Sequence, residues 1–347
     1  MGLAAAVITP GWVAGEHIRA FVENEHTHVA VIVAFSETQK KRAGEYCKKY
    51  GFECRITDNL QDALAMSEVE IATVCSINCF HYEHTLAALK AGKHTITEKP
   101  LAMKPAEVET LAVTAAENKL VTMAGHIVRY FPAVASLKAL VERGDIGEVY
   151  HVEADYWHQL TPGWKTKTET AGSAMIMGGV HALDLVRHMI GENLRVESIS
   201  ALHSGPHRRQ DFSYPPNVSA LIAFEGGKTA RIGVSVEAAM PYTFHLQVNG
   251  TDGAIRQKKF HAPKLSPDES GFVEVSGGFP DDWNVACHPF KDELDDFIDC
   301  VRRGKPNQLD FSRARVTYDL LFDIERAAAT GTIVKPRCGR GDLCMPY

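Results

Sequence analysis

Along roughly the first third of the chain, short runs of consecutive apolar residues alternate with amphipathic stretches of helical period. The runs Leu3 to Ile8, His28 to Ala34, the shorter Phe52 to Ile56, Ile71 to Ser76, His94 to Thr97 and Leu120 to Ala124 predict strands buried on both faces. Between them the pattern predicts helices from Gly15, over Glu37 to Tyr50, Leu60 to Met66, and Tyr82 to Lys90 with Gly92 as its stop. Strands alternating with helices imply right-handed crossovers, hence a doubly wound parallel sheet. From about Gly147 the texture changes. Val149 to Trp157, Val196 to Leu202, Val218 to Phe224, Thr229 to Val236 and Thr243 to Val248 are β-rich segments separated by turn residues such as Glu225-Gly226-Gly227 and Asn249-Gly250-Thr251-Asp252-Gly253. They predict an open, predominantly antiparallel sheet. Helical periodicity returns over Phe290 to Arg302 and Ser312 to Thr330. The expectation is therefore an α/β domain over residues 1–125 followed by an α+β domain over 126–347.

Length agrees, since 347 residues exceed the roughly 250 to 300 at which single cores stop growing. A hydrophobic content of 45%, a charged content of 23% and a net charge of -6 fit a globular enzyme and argue against a nucleic acid or an anionic membrane surface as partner. The expected partner is a small molecule. Eight cysteines, at 47, 54, 75, 79, 287, 300, 338 and 344, form neither a zinc ribbon nor a dense disulfide scaffold and read as reduced thiols. Met1 to Ala6 lacks the basic flank of an export signal, and no run approaches the roughly 18 to 20 apolar residues that cross a bilayer. The chain reads as cytoplasmic.

Within this frame the most informative segment is Glu98-Lys99-Pro100, directly after the strand His94 to Thr97. Ligands of open α/β sheets bind beyond the carboxyl ends of the strands, which makes Lys99 a candidate for chemistry. Thr9 to Gly15 follows the first strand and opens the first helix, where the amides of Gly11, Trp12 and Val13 and the helix dipole favour a pyrophosphate. The pattern departs from a dinucleotide fingerprint at Thr9, which stands for the first glycine, and at Pro10, which lacks an amide donor; an ordinary strand-to-helix turn is the other reading. After the second strand, Ser36-Glu37 places a carboxylate near the spacing that binds adenosine ribose hydroxyls, which favours NAD. Glu37 also suits a helix first turn, and Ser36 with Lys40 would accommodate a phosphate, so the reading admits NADP.

In the second half, Gly178-Gly179 leads into a helix ending at Gly191, on which His181, Asp184 and His188 share one face. A metal site, a histidine general base with a carboxylate nearby, and a purely structural pairing all fit; the absence of an i, i+4 histidine pair argues against metal. Tyr156, Trp157 and His158 end one strand, while Trp164, Lys165 and Lys167 lie in the following loop. Aromatic faces beside hydrogen-bonding groups suit a carbohydrate, and equally an interface. His126, Arg129 and Tyr130 open the connection between the two halves, as cleft residues or as packing.

Taken in order, these segments resemble the Gfo/Idh/MocA oxidoreductases, named for glucose-fructose oxidoreductase and inositol dehydrogenase. The resemblance runs through the glycine turn, Cys75 to His81, Ala91-Gly92-Lys93-His94 into Glu98-Lys99-Pro100, Gly125 to Pro132, Gly144 to Val149, Gly179 to Gly191, and His288-Pro289-Phe290. It implies a Rossmann domain binding a nicotinamide cofactor, with Ser76, Asn78, His81, Glu98 and Lys99 facing it. It also implies a sugar, cyclitol or related polyol held at the second domain, with Lys99 contacting substrate and His181 transferring a proton. His126, Tyr156, His158, Trp164, Lys165 and Asp184 complete the candidate substrate set. Many relatives carry an aspartate four residues before that histidine, where this chain has Met177.

The activity so implied is NAD-dependent hydride transfer from a secondary hydroxyl. An imidazole titrating near its ordinary pKa of about 6.5 would take the hydroxyl proton, and a lysine ammonium would stabilise the alkoxide. A redox-neutral lyase, hydratase or glycosidase working through a transient keto-sugar is the alternative, and a non-catalytic dinucleotide or sugar sensor a further one. A homodimer or homotetramer through the second sheet is expected, because open sheet faces have to be covered.

Overall fold

The computed structural model describes residues 2–205, 207–267, 270–280 and 287–336. In chain order the elements are β1 (Leu3–Ile8), α1 (Trp12–Glu23), β2 (Thr27–Val33), α2 (Glu37–Tyr50), β3 (Arg55–Thr57), α3 (Leu60–Leu64), β4 (Val69–Val74), α4 (His81–Lys90), β5 (His94–Glu98), α5 (Pro105–Glu117) and β6 (Thr122–Gly125). There follow α6 (Pro132–Glu142), β7 (Val149–Trp157), α7 (Thr168–Ala171), α8 (Val180–Ile190), β8 (Val196–His203), β9 (Asn217–Phe224), β10 (Thr229–Ser235) and β11 (Thr243–Gly250). β12 (Ala254–Arg256), β13 (Lys259–His261), β14 (Val273–Glu274), α9 (Phe290–Arg303) and α10 (Phe311–Thr330) complete the chain. Two units result: Met1–Ile127 with Pro289–Arg315, and Val128–His288 with Val316–Tyr347.

In the first unit six strands form a parallel sheet in the order β3-β2-β1-β4-β5-β6. Chain order reverses on either side of β1, so the crevice at the carboxyl ends of β1 and β4 is the topological switch point at which such folds bind ligands. The register aligns Ile8 with Val33 on one side and Val74 on the other, which sets Thr9, Ala34 and Cys75 along one edge. Ala6, Ile8, Val31, Val33, Leu64, Val69 and Val74 are buried together, each large aliphatic contributing about 1.5–3 kcal/mol. The third strand begins at Arg55, later than the expected Phe52. Gly51 closes α2 in the left-handed conformation (φ 69°), and the chain turns back through 52–54 before pairing with Val31 to Val33.

Eight strands make the sheet of the second unit, ordered β14-β13-β12-β11-β7-β10-β9-β8. Every neighbouring pair is antiparallel except β7 with β10. Side chains alternate along β9 and β11, leaving one face open and the other packed. All eleven residues of α8 are buried, and the helix lies against β7, β10 and β11. The short strands β12, β13 and β14 lie in polar sequence and had no period-2 signal to reveal them. The expected doubly wound and predominantly antiparallel sheets are both present.

Candidate active site

The turn after β1 is built for a close approach. Thr9 takes a left-handed backbone (φ 68°), the conformation a first glycine would supply without strain. Gly11 caps α1 with no side-chain hydrogen bond, and no acidic residue occupies the first turn of that helix, so its positive end faces the edge uncompensated. The Tyr46 hydroxyl donates to the Gly11 carbonyl (2.9 Å), and its ring lies where a Cβ on Gly15 would be, 2.8 Å away. Trp12 is exposed and Val13 half-buried.

Around the same edge, Phe35 after β2, His84 on α4 and Phe80 after β4 form a ring stack, with centroids 5.1 and 5.7 Å apart and tilts of 18° and 15°. Burial drives His84 down to about 4, which keeps the middle ring neutral. His84 Nδ1 is hydrogen-bonded to Ser76 Oγ (2.6 Å), which contacts Thr9 Oγ1 (3.2 Å). Phe35 and Phe80 are exposed at the carboxyl edge, offering faces on which a purine can stack. Neither ring nor His84 was singled out from sequence; an aromatic directly after a strand end was the available signal. Ser36 caps α2, accepting from the Gln39 amide at 3.3 Å, and Glu37 projects into solvent, paired with Lys40 at 3.0 Å. Lys40 also holds Asp58 (2.9 Å). A glycine turn with an uncapped helix, an aromatic platform and a cradle braced by Tyr46 together fit a dinucleotide.

Asn78 is buried in the short turn before α4. The ring nitrogens of His81 reach the carbonyl oxygens of Pro100 (2.5 Å) and Ser76 (2.7 Å), so one buried ring ties the loop after β4 to the residue following Lys99. The Lys99-Pro100 peptide is cis. Glu98 turns inward, its Oε1 accepting from His17 Nε2 (2.9 Å), and its Cα lies 3.1 Å from where a Cβ on Gly125 would stand. His126, after β6, is fully buried.

In the second unit Tyr156, His158 and His181 come together. The Tyr156 ring stacks on His181 (6.0 Å between centroids, 25°) and its hydroxyl is hydrogen-bonded to His158 Nδ1 (2.8 Å). Tyr242, which sequence reasoning missed, sets its ring edge-on to both Tyr156 (5.6 Å) and His158 (4.9 Å). It lies in a turn without periodicity, so nothing marked it. Burial raises Tyr156 well above the ordinary phenol value and keeps its proton in place. One turn of π-helix, Met175–Gly179, precedes α8, a feature common at functional sites. A Cβ on Gly178 would lie 2.3 Å from the Tyr156 ring, so only glycine permits this approach. Met177 is buried within the same turn.

Asp184 points elsewhere: both its oxygens accept from Arg129 (2.7 Å each) in a buried bidentate pair. Arg129 also donates to Glu192, and Arg187 to Thr317 Oγ1 (2.5 Å) and the Glu192 carbonyl (3.0 Å). His188 lies 3.5 Å from Glu192. The face shared by His181, Asp184 and His188 thus splits between an aromatic cluster and an ion-pair network. Among the described residues no three His, Cys, Asp or Glu converge on a metal position, and six cysteines are free thiols; Cys338 and Cys344 lie outside the described residues. Trp164 and Lys165 sit in a short turn after β7, the ammonium 5.8 Å from the indole centroid, and burial lowers the Lys165 pKa. Among the described residues no helix is long and apolar enough to cross a membrane.

Residues 3–126 match the family model for the oxidoreductase family with an NAD-binding Rossmann fold, and residues 134–256 match that for the GFO/IDH/MocA C-terminal domain. An inositol 2-dehydrogenase of Klebsiella pneumoniae (strain 342) is 26% identical over 346 residues, 97% of this chain and 98% of its own length. A D-glucoside 3-dehydrogenase of Escherichia coli (strain K12) is 32% identical over 164 residues, 46% of each chain. Among solved structures, levoglucosan dehydrogenase in complex with NADH and levoglucosan superposes with a TM-score of 0.84 at 21% identity, covering 97% of this chain and 100% of that one. With both domain models matched in order over a fold of the same architecture, the chain belongs to the Gfo/Idh/MocA family and is an NAD-binding oxidoreductase.

Proposed function

We propose that this oxidoreductase converts a secondary hydroxyl of a sugar or cyclitol to a ketone, with His181 and Lys99 as the residues that handle the hydroxyl. The observation that carries the reading is the Tyr156, His158 and His181 cluster at the start of α8. An imidazole held by stacking on a buried tyrosine ring, whose hydroxyl is in turn hydrogen-bonded to a second imidazole, is an arrangement suited to accepting a proton. The named activities of the inositol and glucoside dehydrogenases among its relatives support a polyol substrate.

In this mechanism the amides of Gly11, Trp12 and Val13 would hold the pyrophosphate of a dinucleotide, and Ser76, Asn78, His81 and Glu98 would line the loops that hold the rest of it. The bound dinucleotide supplies the hydride acceptor. His181 removes the hydroxyl proton as the carbon gives up its hydride, and the Lys99 ammonium steadies the charge that grows on oxygen. His126, Tyr156, His158, Trp164 and Lys165 are the proposed substrate contacts. Asp184, spent on Arg129, holds the helix that carries His181. NAD is proposed over NADP, because Lys40 is already engaged by Glu37 and Asp58. The open face of the second sheet, where Leu202 and Leu221 are 62% and 60% exposed, is proposed to pair copies into a homodimer or homotetramer.

The test is to denature the purified protein, identify any released nucleotide, and follow absorbance of the reduced cofactor across a polyol panel. One NADH formed per ketone supports net oxidation. Eliminated, hydrated or cleaved product without accumulating NADH, for every polyol that reacts, would sink it.

A further inference from the structure

Glu98 also belongs to a polar cluster for which the mechanism above has no use. His17 on α1 is completely buried. It contacts Glu98 Oε1 through Nε2 (2.9 Å) and Thr73 Oγ1 through Nδ1 (2.8 Å), joining α1 to both β4 and β5. Phe290, the first residue of α9, sets its ring against the imidazole with centroids 5.4 Å apart. From the next position on the same helix face comes Glu293, also completely buried, whose two carboxyl oxygens have no hydrogen-bond partner among the described residues. A carboxylate stripped of water and donors cannot remain ionised beside a second carboxylate, so Glu293 carries its proton.

Burial opposes a charge on His17, but Cys75 and Glu98 beside it hold the ring well above its ordinary value. Burial likewise opposes the Glu98 charge, and the His17 hydrogen bond and charge keep that carboxyl below the usual range. Burial and then the Glu98 charge push Glu293 well above it. The cluster is thus one imidazolium, one carboxylate and one carboxylic acid. Along the backbone Glu98 leads directly into Lys99, and Thr73 leads through Val74 to Cys75 and Ser76 at the end of β4.

We propose that His17 is a positioning residue for Lys99: by tying Glu98 to α1 and β4 it fixes the end of β5 from which Lys99 projects, while Glu293 closes the pair off from water. Packing alone would be served by an apolar residue at 17 and at 293. A buried carboxyl with neither oxygen satisfied is instead a cost the fold carries where an acceptor's charge has to be kept in a set place. The inference rests on the reading of Lys99 as a residue that touches the reacting oxygen.

The experiment uses the full chain with its cofactor and two substitutions, His17→Ala and Thr73→Val, the second nearly isosteric and chosen to fold where the first does not. Three quantities are measured: NAD affinity by calorimetry, kcat, and the rate at which the Lys99 amine is reductively methylated, followed by mass spectrometry. The expected result is intact NAD affinity, a kcat lower by about 10- to 100-fold for His17→Ala, as small misplacements of a reacting group produce, a smaller loss for Thr73→Val, and a severalfold change in Lys99 methylation in both. Folded variants with Lys99 methylation and kcat like the parent's would overturn it. Lys99→Ala separates the two claims: if it retains full kcat while His17→Ala still changes Lys99 methylation, positioning stands and the role given to Lys99 fails.

Discussion

The two units bury acidic side chains in opposite ways. In the second, Asp184 meets a guanidinium fork with both oxygens, and Glu192 is held by Arg129 and lies beside His188. Although burial disfavours their charge, the His188 hydrogen bond and the charge of Arg129 keep Glu192 down at about 2. In the first, one imidazole serves one carboxylate, and the neighbouring Glu293 has no donor among the described residues. Matched charges of the first kind hold α8 and its surroundings in place. The unmatched carboxyl feels the charge of Glu98, the residue before Lys99. Completeness of pairing therefore separates framework from working parts better than burial does, since Asp184 and Glu293 are equally buried.

The sharpest way to break that contrast is Asp184→Ala. It leaves the buried Arg129 fork with Glu192 on one nitrogen and removes both bonds to Asp184, and is expected to lower unfolding free energy by about 3 kcal/mol in urea titrations. Replacing both partners with apolar residues, Asp184→Leu with Arg129→Met, is expected to recover most of that loss. A loss under about 1 kcal/mol for the single change would show the pair to be solvated.

Glu293→Gln probes the other side. In the folded state the carboxyl keeps its proton while the unfolded chain releases it above about pH 4.5, so parental stability falls as pH rises, by about 1.4 kcal/mol per unit until the raised folded value is reached. The glutamine variant lacks this loss. Its advantage in thermal unfolding is expected to be absent near pH 4.5 and to grow toward pH 8; a variant less stable throughout would mean an ionised, partnered Glu293. Glu325 lies between the two extremes, with Ser173 Oγ as its hydrogen-bond donor and burial raising it to about 7. Glu325→Gln is expected to gain by the same sign, more modestly, with the gain levelling off near pH 7. A gain still climbing well above pH 7 would contradict the value of about 7 for Glu325.

Much of this arrangement was readable from residue order. The parallel sheet followed from apolar runs alternating with amphipathic stretches, because strands covered on both faces have no polar side to show. Lys99 and His181 stood out by their place after a strand end and before a helix. The short strands β12 to β14 were hidden, being two or three residues each and held by pairing along a sheet edge. Asp184 shared a helical face with His181, but spacing could not say that Arg129, 55 residues earlier, would take both its oxygens. Glu293 did leave a trace: it stands in the apolar stripe of α9 with Phe290, Leu294, Phe297 and Ile298, a polar residue at a core position. The neighbouring Asp292, Asp295, Asp296 and Asp299 obscured it.

The most direct test of the central claim is rapid-mixing detection of NADH formed by His181→Ala with a polyol the parent oxidises, alongside NAD affinity. The account predicts that NAD binds as before and that NADH formation falls by about 10²- to 10⁴-fold, the contribution of a positioned general base. NADH appearing at the parental rate across pH 6 to 9 would contradict it.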